Sequence, residues 1–275
     1  MNAMNNFAIM SYSFHGLQNV GAMDLFGYME TVRHRFDLRA VDIWNGFIKS
    51  YDEKYMQLVK QNLEERDLTV ASFTCDEAHV WDNNPDVRAG NEKKAWQCLE
   101  FAKIIGAKFI RIDAGVREET FSDEQLEYVS KKYKEYCAFA ETFGATLGTE
   151  NHWGVTRDFD ELHRLFDAMK DTKSFTHLLH LGSWTVEDEA KKNEYDLKVA
   201  PRAAQMHMDF EHCMEAEKIM PGLMASGYKG FWTIESHKGT NEFNNVALQL
   251  AQVKRVVAPL VYQGQWEVGP PSVNE

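Results

Sequence analysis

Two glutamates and two histidines, Glu150, His180, His207 and Glu235, follow one another at intervals of 30, 27 and 28 residues. Each stands at or near the end of a short apolar run. One strand–helix unit occupies about 30 residues, so this spacing aims polar groups from four consecutive strands at one point. Two carboxylates and two imidazoles suit a divalent metal of intermediate hardness: Mn²⁺ first, then Co²⁺, Fe²⁺ or Zn²⁺, with Mg²⁺ ranked lower because it prefers oxygen ligands. With such an ion bound to two neighbouring oxygens of a sugar, an enediolate would be stabilised by Lewis acidity. Carboxylates on opposite sides of the substrate could then remove and return a proton. Glu150 and Glu235 are the candidates for that exchange, and His180 and His207 complete the coordination.

Further candidates cluster around these four. The stretch Gly144–Gly154 reads as a buried strand, Ala145 to Thr149, that delivers Glu150, Asn151 and His152 to its C-terminal end. His152 would stand beside the metal, to bind a substrate hydroxyl or position a carboxylate; a plain loop histidine is the alternative. His15, Trp44, Arg111, Trp153, Trp184 and His237 also fall at strand ends or in the loops after them, where they could contact a carbohydrate. Arg111 and Arg117 suit a phosphate or carboxylate, or else salt bridges with Asp113 and Glu118. Asp209 is placed to orient a ligand histidine from behind. No glycine-rich phosphate loop is present, so a phosphorylated substrate is not positively indicated.

The elements that must position these residues alternate along the chain. Strands are expected at Phe7–Tyr12, Leu38–Trp44, Leu68–Phe73, Lys108–Ile112, Ala145–Thr149, Thr176–Leu181, Ala203–Met208 and Phe231–Ile234. Helical periodicity appears over Asp24–Arg35, Asp52–Arg66 and Asp158–Met169. It also appears in the segment ending at Gly106, where Ala95, Cys98, Leu99, Ala102 and Ile105 form one stripe. Ser122 and Gln125 form a capping box for the next helix, and Asn241–Val257 closes the series. Asp76–Gly90 and Gly182–Val199 read as long polar connections. Eight strands each followed by a helix predict a parallel (β/α)₈ TIM barrel over residues 1–261 as a single domain. Residues 262–275, with Pro270, Pro271 and Trp266, read as an extended C-terminal tail.

Bulk composition narrows the function further. The 275 residues carry a formal charge of −12, which argues against broad nucleic-acid contact. No apolar run approaches the ~18 residues of a membrane span, and the start MNAMNNFAIM has no basic region or cleavage site, so the expected compartment is cytoplasmic. Four cysteines without CxxC spacing imply neither a disulfide framework nor a zinc-thiolate site. A homo-oligomer stays open, with Trp266 either a subunit contact or an exposed side chain.

The segments IGAKFIRI (Ile105–Ile112), TENHWG (Thr149–Gly154), QMHMD (Gln205–Asp209) and SGYKGFWTIE (Ser226–Glu235), in this order and spacing, resemble the xylose-isomerase-like TIM barrels from about Phe7 to Pro259. That group contains sugar-phosphate isomerases, ketose 3-epimerases and endonuclease-IV-type enzymes. The resemblance implies that Glu150 and Glu235 bind a metal and act as an acid–base pair, with His207 a ligand. The strand-six ligand of the group is normally an aspartate; HLGSW puts His180 in its place, so either His180 replaces it or the metal site is altered. Met208, Ser183 and Cys213 stand where the epimerases carry a lysine, a histidine and an arginine, and the extra histidines of the endonucleases are not evident.

The resulting expectation is a metal-dependent isomerase or epimerase acting on a sugar or polyol. A lyase or hydrolase cleaving an oxidised (keto) sugar or glycoside is the alternative on the same scaffold. A non-catalytic sugar-binding barrel is the rival of another class.

Overall fold

Short apolar runs become parallel strands, and the amphipathic stretches become helices that cover them, throughout the computed structural model, which describes residues 6–262. The order is β1 (Phe7–Ile9), α1 (His15–Asn19), α2 (Leu25–Glu30), β2 (Ala40–Trp44), α3 (Glu53–Glu65), β3 (Thr69–Cys75), α4 (Pro85–Ile105), β4 (Phe109–Ile112), α5 (Asp123–Glu141) and β5 (Thr146–Glu150). It continues through α6 (Phe159–Ala168), β6 (Phe175–His180), α7 (Glu189–Val199), β7 (Ala203–Met208), α8 (Phe210–Met214), α9 (Ala216–Ala225), β8 (Phe231–Ile234) and α10 (Glu242–Tyr262). The strands pair in parallel in the order β1-β8-β7-β6-β5-β4-β3-β2. Between β1 and β2 the ladder shrinks to one bridge, Met10 with Asp42. The Tyr28 hydroxyl stitches that seam, donating to the Ile9 carbonyl and accepting from the Asp42 N–H at 3.1 Å. The sheet is therefore a nearly closed TIM barrel.

Local chemistry accounts for the helix boundaries. Ser122 and Gln125 cap α5 reciprocally, as their spacing predicts. Asp158 accepts from the N–H groups of Asp160 and Glu161 and starts α6, a cap that contributes about 1 kcal/mol. Leu162, Leu165 and Phe166 of α6 then face the sheet and are buried; each such side chain stabilises by roughly 1.5–3 kcal/mol. Glycine is required at position 148, because an added Cβ would lie 1.9 Å from the Thr176 carbonyl oxygen. That close approach of β5 to β6 brings Glu150, two residues on, next to His180.

The structure departs from the sequence reading in three places. The first strand ends at Ile9, not Tyr12, because Ser11–Phe14 closes into a 3₁₀ turn; the Ser13 hydroxyl accepts from the Ser236 N–H at 2.9 Å and holds that turn against β8. The polar stretch Asp76–Gly90 contains the start of α4, where Asn84 caps and Pro85 occupies the first turn. The other polar stretch, Gly182–Val199, contains α7, started by Asp188. Polar composition concealed both helices, since α7 turns most of its surface to solvent. The tail beyond Tyr262, Trp266 included, lies outside the described residues. None of the described helices is long and apolar enough to cross a membrane, and the four cysteines are buried and free.

Candidate metal centre

Glu150 ends β5, His180 ends β6, His207 is the penultimate residue of β7 and Glu235 follows β8 directly. The barrel thereby delivers all four side chains to its C-terminal mouth. His180 Nδ1 lies 3.0 Å from Glu150 Oε1 and 3.6 Å from Glu235 Oε2. His207 Nδ1 lies 3.2 and 3.0 Å from the same two oxygens. One ligand atom from each residue falls within 4.8 Å of the other three. His207 Nδ1 and Glu235 Oε2 are buried and make no well-directed hydrogen bond, although they stand 3.0 Å apart as an ion pair. Buried polar atoms left in this state cost about 1–3 kcal/mol each. A divalent cation, held by two carboxylates and two imidazoles, fits the space and the donor set. The structure thus brings the His180 of HLGSW into the cluster.

Behind His207 stands a residue that the sequence reading passed over. Asp42, in the middle of β2, is fully buried, and its Oδ2 lies 2.8 Å from His207 Nε2. Gln205 Nε2 donates to the same oxygen. With Nε2 engaged by a carboxylate, Nδ1 is the nitrogen left for a metal, the usual division of labour in a carboxylate–histidine–metal arrangement. The signal in the sequence was a lone aspartate inside the apolar run AVDIW. Asp209, expected in this role, is instead the N-cap of α8; its Oδ1 accepts from the His212 N–H and lies 2.7 Å from His212 Nδ1.

A second set, Asp113, Glu150 and His152, also gathers ligand atoms within 4.8 Å. Arg111 already supplies the positive charge there, with Nη1 2.6 Å from Asp113 Oδ2 and Nε 3.3 Å from Glu150 Oε2. A second ion would meet a buried guanidinium, so one centre is the favourable occupancy. His152 Nδ1 stands 3.1 Å from Glu150 Oε2. Asn151 accepts from the His180 N–H at 2.8 Å and donates to its carbonyl at 2.9 Å, fixing the β6 end beside β5.

Electrostatics in the cluster follow from these contacts. Burial works to raise the pKa of Glu150, but His152 and His207 outweigh it and hold the carboxyl well below its usual range. Glu235 behaves alike, with burial overcome chiefly by His207. Burial alone would lower the pKa of His207; the two glutamates and Asp42 instead hold it well above the ordinary value. His152 is likewise raised by Glu150 and Asp113 against the pull of burial.

The remaining expected contacts divide into two groups. Trp44 and Trp153 line a cavity of about 630 Å³ that adjoins the centre through His152. Their indole N–H groups donate to Asp76 at 2.6 Å and to Asp113 at 2.8 Å. His237 stands 3.6 Å from Glu235, and His15 stacks on Tyr12, which also meets Trp44 and His237 edge-on. Tyr12 is a mouth residue that no motif had singled out. Arg111 and Trp184, expected at the substrate, are turned elsewhere. The Arg111 guanidinium is 3% exposed and directed at Asp76, Asp113 and Glu150. The buried Trp184 donates to Asp196 at 2.7 Å, because a buried indole N–H needs an acceptor and the interior of α7 supplies one.

Fold and site together define a barrel with a mouth-side carboxylate–imidazole centre. A sequence profile described as xylose isomerase-like TIM barrel matches residues 33–253, and the chain belongs to that family. Among solved structures, the chain is similar to the apo form of 3-keto-D-glucoside 4-epimerase from E. coli, with 13% identity and a TM-score of 0.71 over 91% of this chain and 99% of that one. A D-psicose 3-epimerase solved in the presence of D-fructose gives 12% identity and a TM-score of 0.69 over 95% and 100%. A probable 3-DHS dehydratase from Bacillus anthracis gives 12% and 0.70 over 91% and 99%. At such identities these likenesses concern the fold. No curated protein sequence matches the chain significantly.

Proposed function

We propose that the chain is a divalent-metal-dependent isomerase or epimerase acting on a sugar or polyol, which exchanges a proton on a carbon beside a carbonyl. The observation that carries this reading is the placement of Glu150 and Glu235 on either side of His180 and His207. Glu150 Oε1, Glu235 Oε2 and the two Nδ1 atoms would hold the ion, Mn²⁺ foremost. When bound, the metal would supply Lewis-acid stabilisation of enediolate oxygens.

The protein's own residues supply the rest. Two strands separate β5 from β8, so the glutamates approach a substrate over the imidazoles from two sides; one carboxylate takes the proton and the other returns one. His152 Nδ1 stands 3.1 Å and Arg111 Nε 3.3 Å from Glu150 Oε2, so positive charge on either side would hold that carboxylate in place. Trp44 and Trp153 offer apolar surface to a sugar in the adjoining cavity, with His15 and His237 at the rim.

Elimination from an oxidised keto sugar is the second reading. It is favoured by the dehydratase among the similar structures. Incubation of metal-loaded protein with ketoses and keto sugars in D₂O separates them by mass. Isomerisation preserves the mass apart from about one deuterium per turnover, whereas elimination releases water or a larger fragment. Elemental analysis beside a Glu150→Gln, His207→Ala double variant tests the centre itself. An absence of metal from both proteins after incubation with each ion would defeat both enzymatic readings in favour of a sugar-binding barrel.

A further inference from the structure

The cavity beside the metal centre has a charge pattern that the proton-transfer chemistry does not use. Its volume of about 630 Å³ lies in the range of small-molecule sites. Its wall carries two basic side chains, Lys94 and Arg117, and neither has an ion-pair partner among the described residues. The Arg117 guanidinium lies 5.6 Å from the Trp153 ring centroid. The adjacent Glu118 carboxylate instead accepts from Asn83 at 2.8 Å and from the Arg117 backbone N–H at 3.1 Å. Lys94 Nζ sits 4.6 Å from the Tyr51 ring centroid, while Glu92, the acid nearest on its helix, is held by Lys132 at 2.7 Å. Of the two acids lining the cavity, Asp76 is taken up by Arg111 at 2.9 Å and Trp44 at 2.6 Å. Glu77 is left. Two unpaired cations thus face one uncommitted carboxylate, in a chain whose formal charge is −12.

We infer that the substrate carries an oxyanion, a carboxylate or a phosphate, which Arg117 and Lys94 bind at the cavity wall while the reacting carbons lie at the glutamate–histidine cluster. The inference rests on the reading of the centre as a metal-dependent sugar site. Beside the Trp153 ring, the Arg117 guanidinium has no carboxylate partner among the described residues, and a guanidinium can grip an oxyanion with two parallel hydrogen bonds. His152 lines the cavity and also touches Glu150, so one imidazole separates the anion-binding space from the reacting centre. Arg111 and Arg117, equivalent on sequence grounds, thereby take opposite duties: Arg111 holds protein carboxylates and Arg117 is left for a ligand.

The test titrates the metal-loaded protein with D-glucuronate, D-fructose 6-phosphate, D-glucose and D-fructose, read by calorimetry and by tryptophan fluorescence. At least one anionic sugar should bind about tenfold more tightly than its neutral counterpart, and added salt should shrink the gap. A uronate preference identifies a sugar acid, and a phosphate preference a sugar phosphate. An Arg117→Gln, Lys94→Gln double variant should bring the gap to within about twofold with metal content unchanged. Equal or tighter binding of the neutral sugars overturns the inference. So does survival of the gap in the double variant, or failure of both anionic sugars to bind below about 10 mM. Repeating the titration after chelator treatment separates this inference from the metal reading: an anion gap that persists in protein unable to take up metal keeps the basic wall and removes only the metal.

Discussion

Asp42 offers the sharpest test of how this barrel prepares its centre. Asp42→Asn keeps an oxygen for His207 Nε2 and Gln205 but removes the charge, and Asp42→Ala removes both. The 2.8 Å contact to His207 is of the charge-assisted kind, with a net contribution of about 1.5–3 kcal/mol against about 1 kcal/mol for a neutral bond. In the metal-free protein His207 keeps two glutamates as partners for Nδ1, so the loss falls mainly on the metal-bound state, where Nδ1 must be unprotonated and Nε2 must donate. The asparagine variant should therefore bind Mn²⁺ about fivefold to tenfold more weakly, and the alanine variant about 10- to 100-fold more weakly. The metal-free Tm of Asp42→Asn should stay close to wild type, because burial already disfavours the Asp42 charge and raises its pKa. Competition against a chelating dye gives the affinity, and a thermal melt of metal-free protein gives the control. Equal metal affinity in wild type and Asp42→Ala would refute the role of Asp42; a collapsed Tm in Asp42→Asn would refute the separation of binding from folding.

Other measurements probe the scaffold. Burial pushes the Asp196 carboxyl up to about 7, so the folded chain keeps a proton there that the unfolded chain loses near pH 4. The associated stability, roughly 4 kcal/mol by linkage, is present below pH 4 and is lost as pH rises through 7. Asp196→Asn should gain stability relative to wild type between pH 5 and 8 in urea titrations, and parallel pH curves would reject the assignment. Gly148→Ala must push its Cβ into the Thr176 carbonyl and should cost more than about 3 kcal/mol, visible as a lower urea midpoint and weaker metal binding. Tyr28→Phe strips the hydroxyl from the β1–β2 seam and should cost about 1–3 kcal/mol with no direct contact to the ligands. A melt unchanged from wild type would contradict it.

The barrel was legible because its code is local: short apolar runs, amphipathic helices and caps repeat about every 30 residues. Glu150, His180, His207 and Glu235 were legible for the same reason, since each closes a local pattern. Asp42 was not, because its partner lies 165 positions away across the barrel, and a lone aspartate in AVDIW has no sequence neighbour to explain it. Asp209 lay near the ligand histidine in sequence, yet the turn that begins α8 uses its carboxylate first. Trp184 and Arg111 show the same limit. Trp184 has the right chemistry for a sugar, but Asp196 in the following helix claims its N–H; for Arg111 the salt bridge with Asp113 was one of the two sequence readings, and the packed structure adds Asp76 and Glu150 to it. Arg117 escapes such a partner because Asn83 and a backbone N–H occupy Glu118.

The joint between β1 and β2 ties these observations to the mechanics of the barrel. The first and last strands meet in a regular parallel ladder, so the weak point lies one strand further in, at the single Met10–Asp42 bridge. Asp42 belongs to that bridge through its backbone and to the histidine of the centre through its side chain. An ion held at the centre would therefore be coupled to closure of the barrel, its binding free energy at His207 acting as a clasp on the joint. Amide exchange at Asp42 and Trp44, whose N–H groups meet the Tyr28 and Ser11 hydroxyls on the β1 side of the strand, reports how often the clasp springs open; it should slow when the centre is filled and quicken when the Asp42 side chain is replaced.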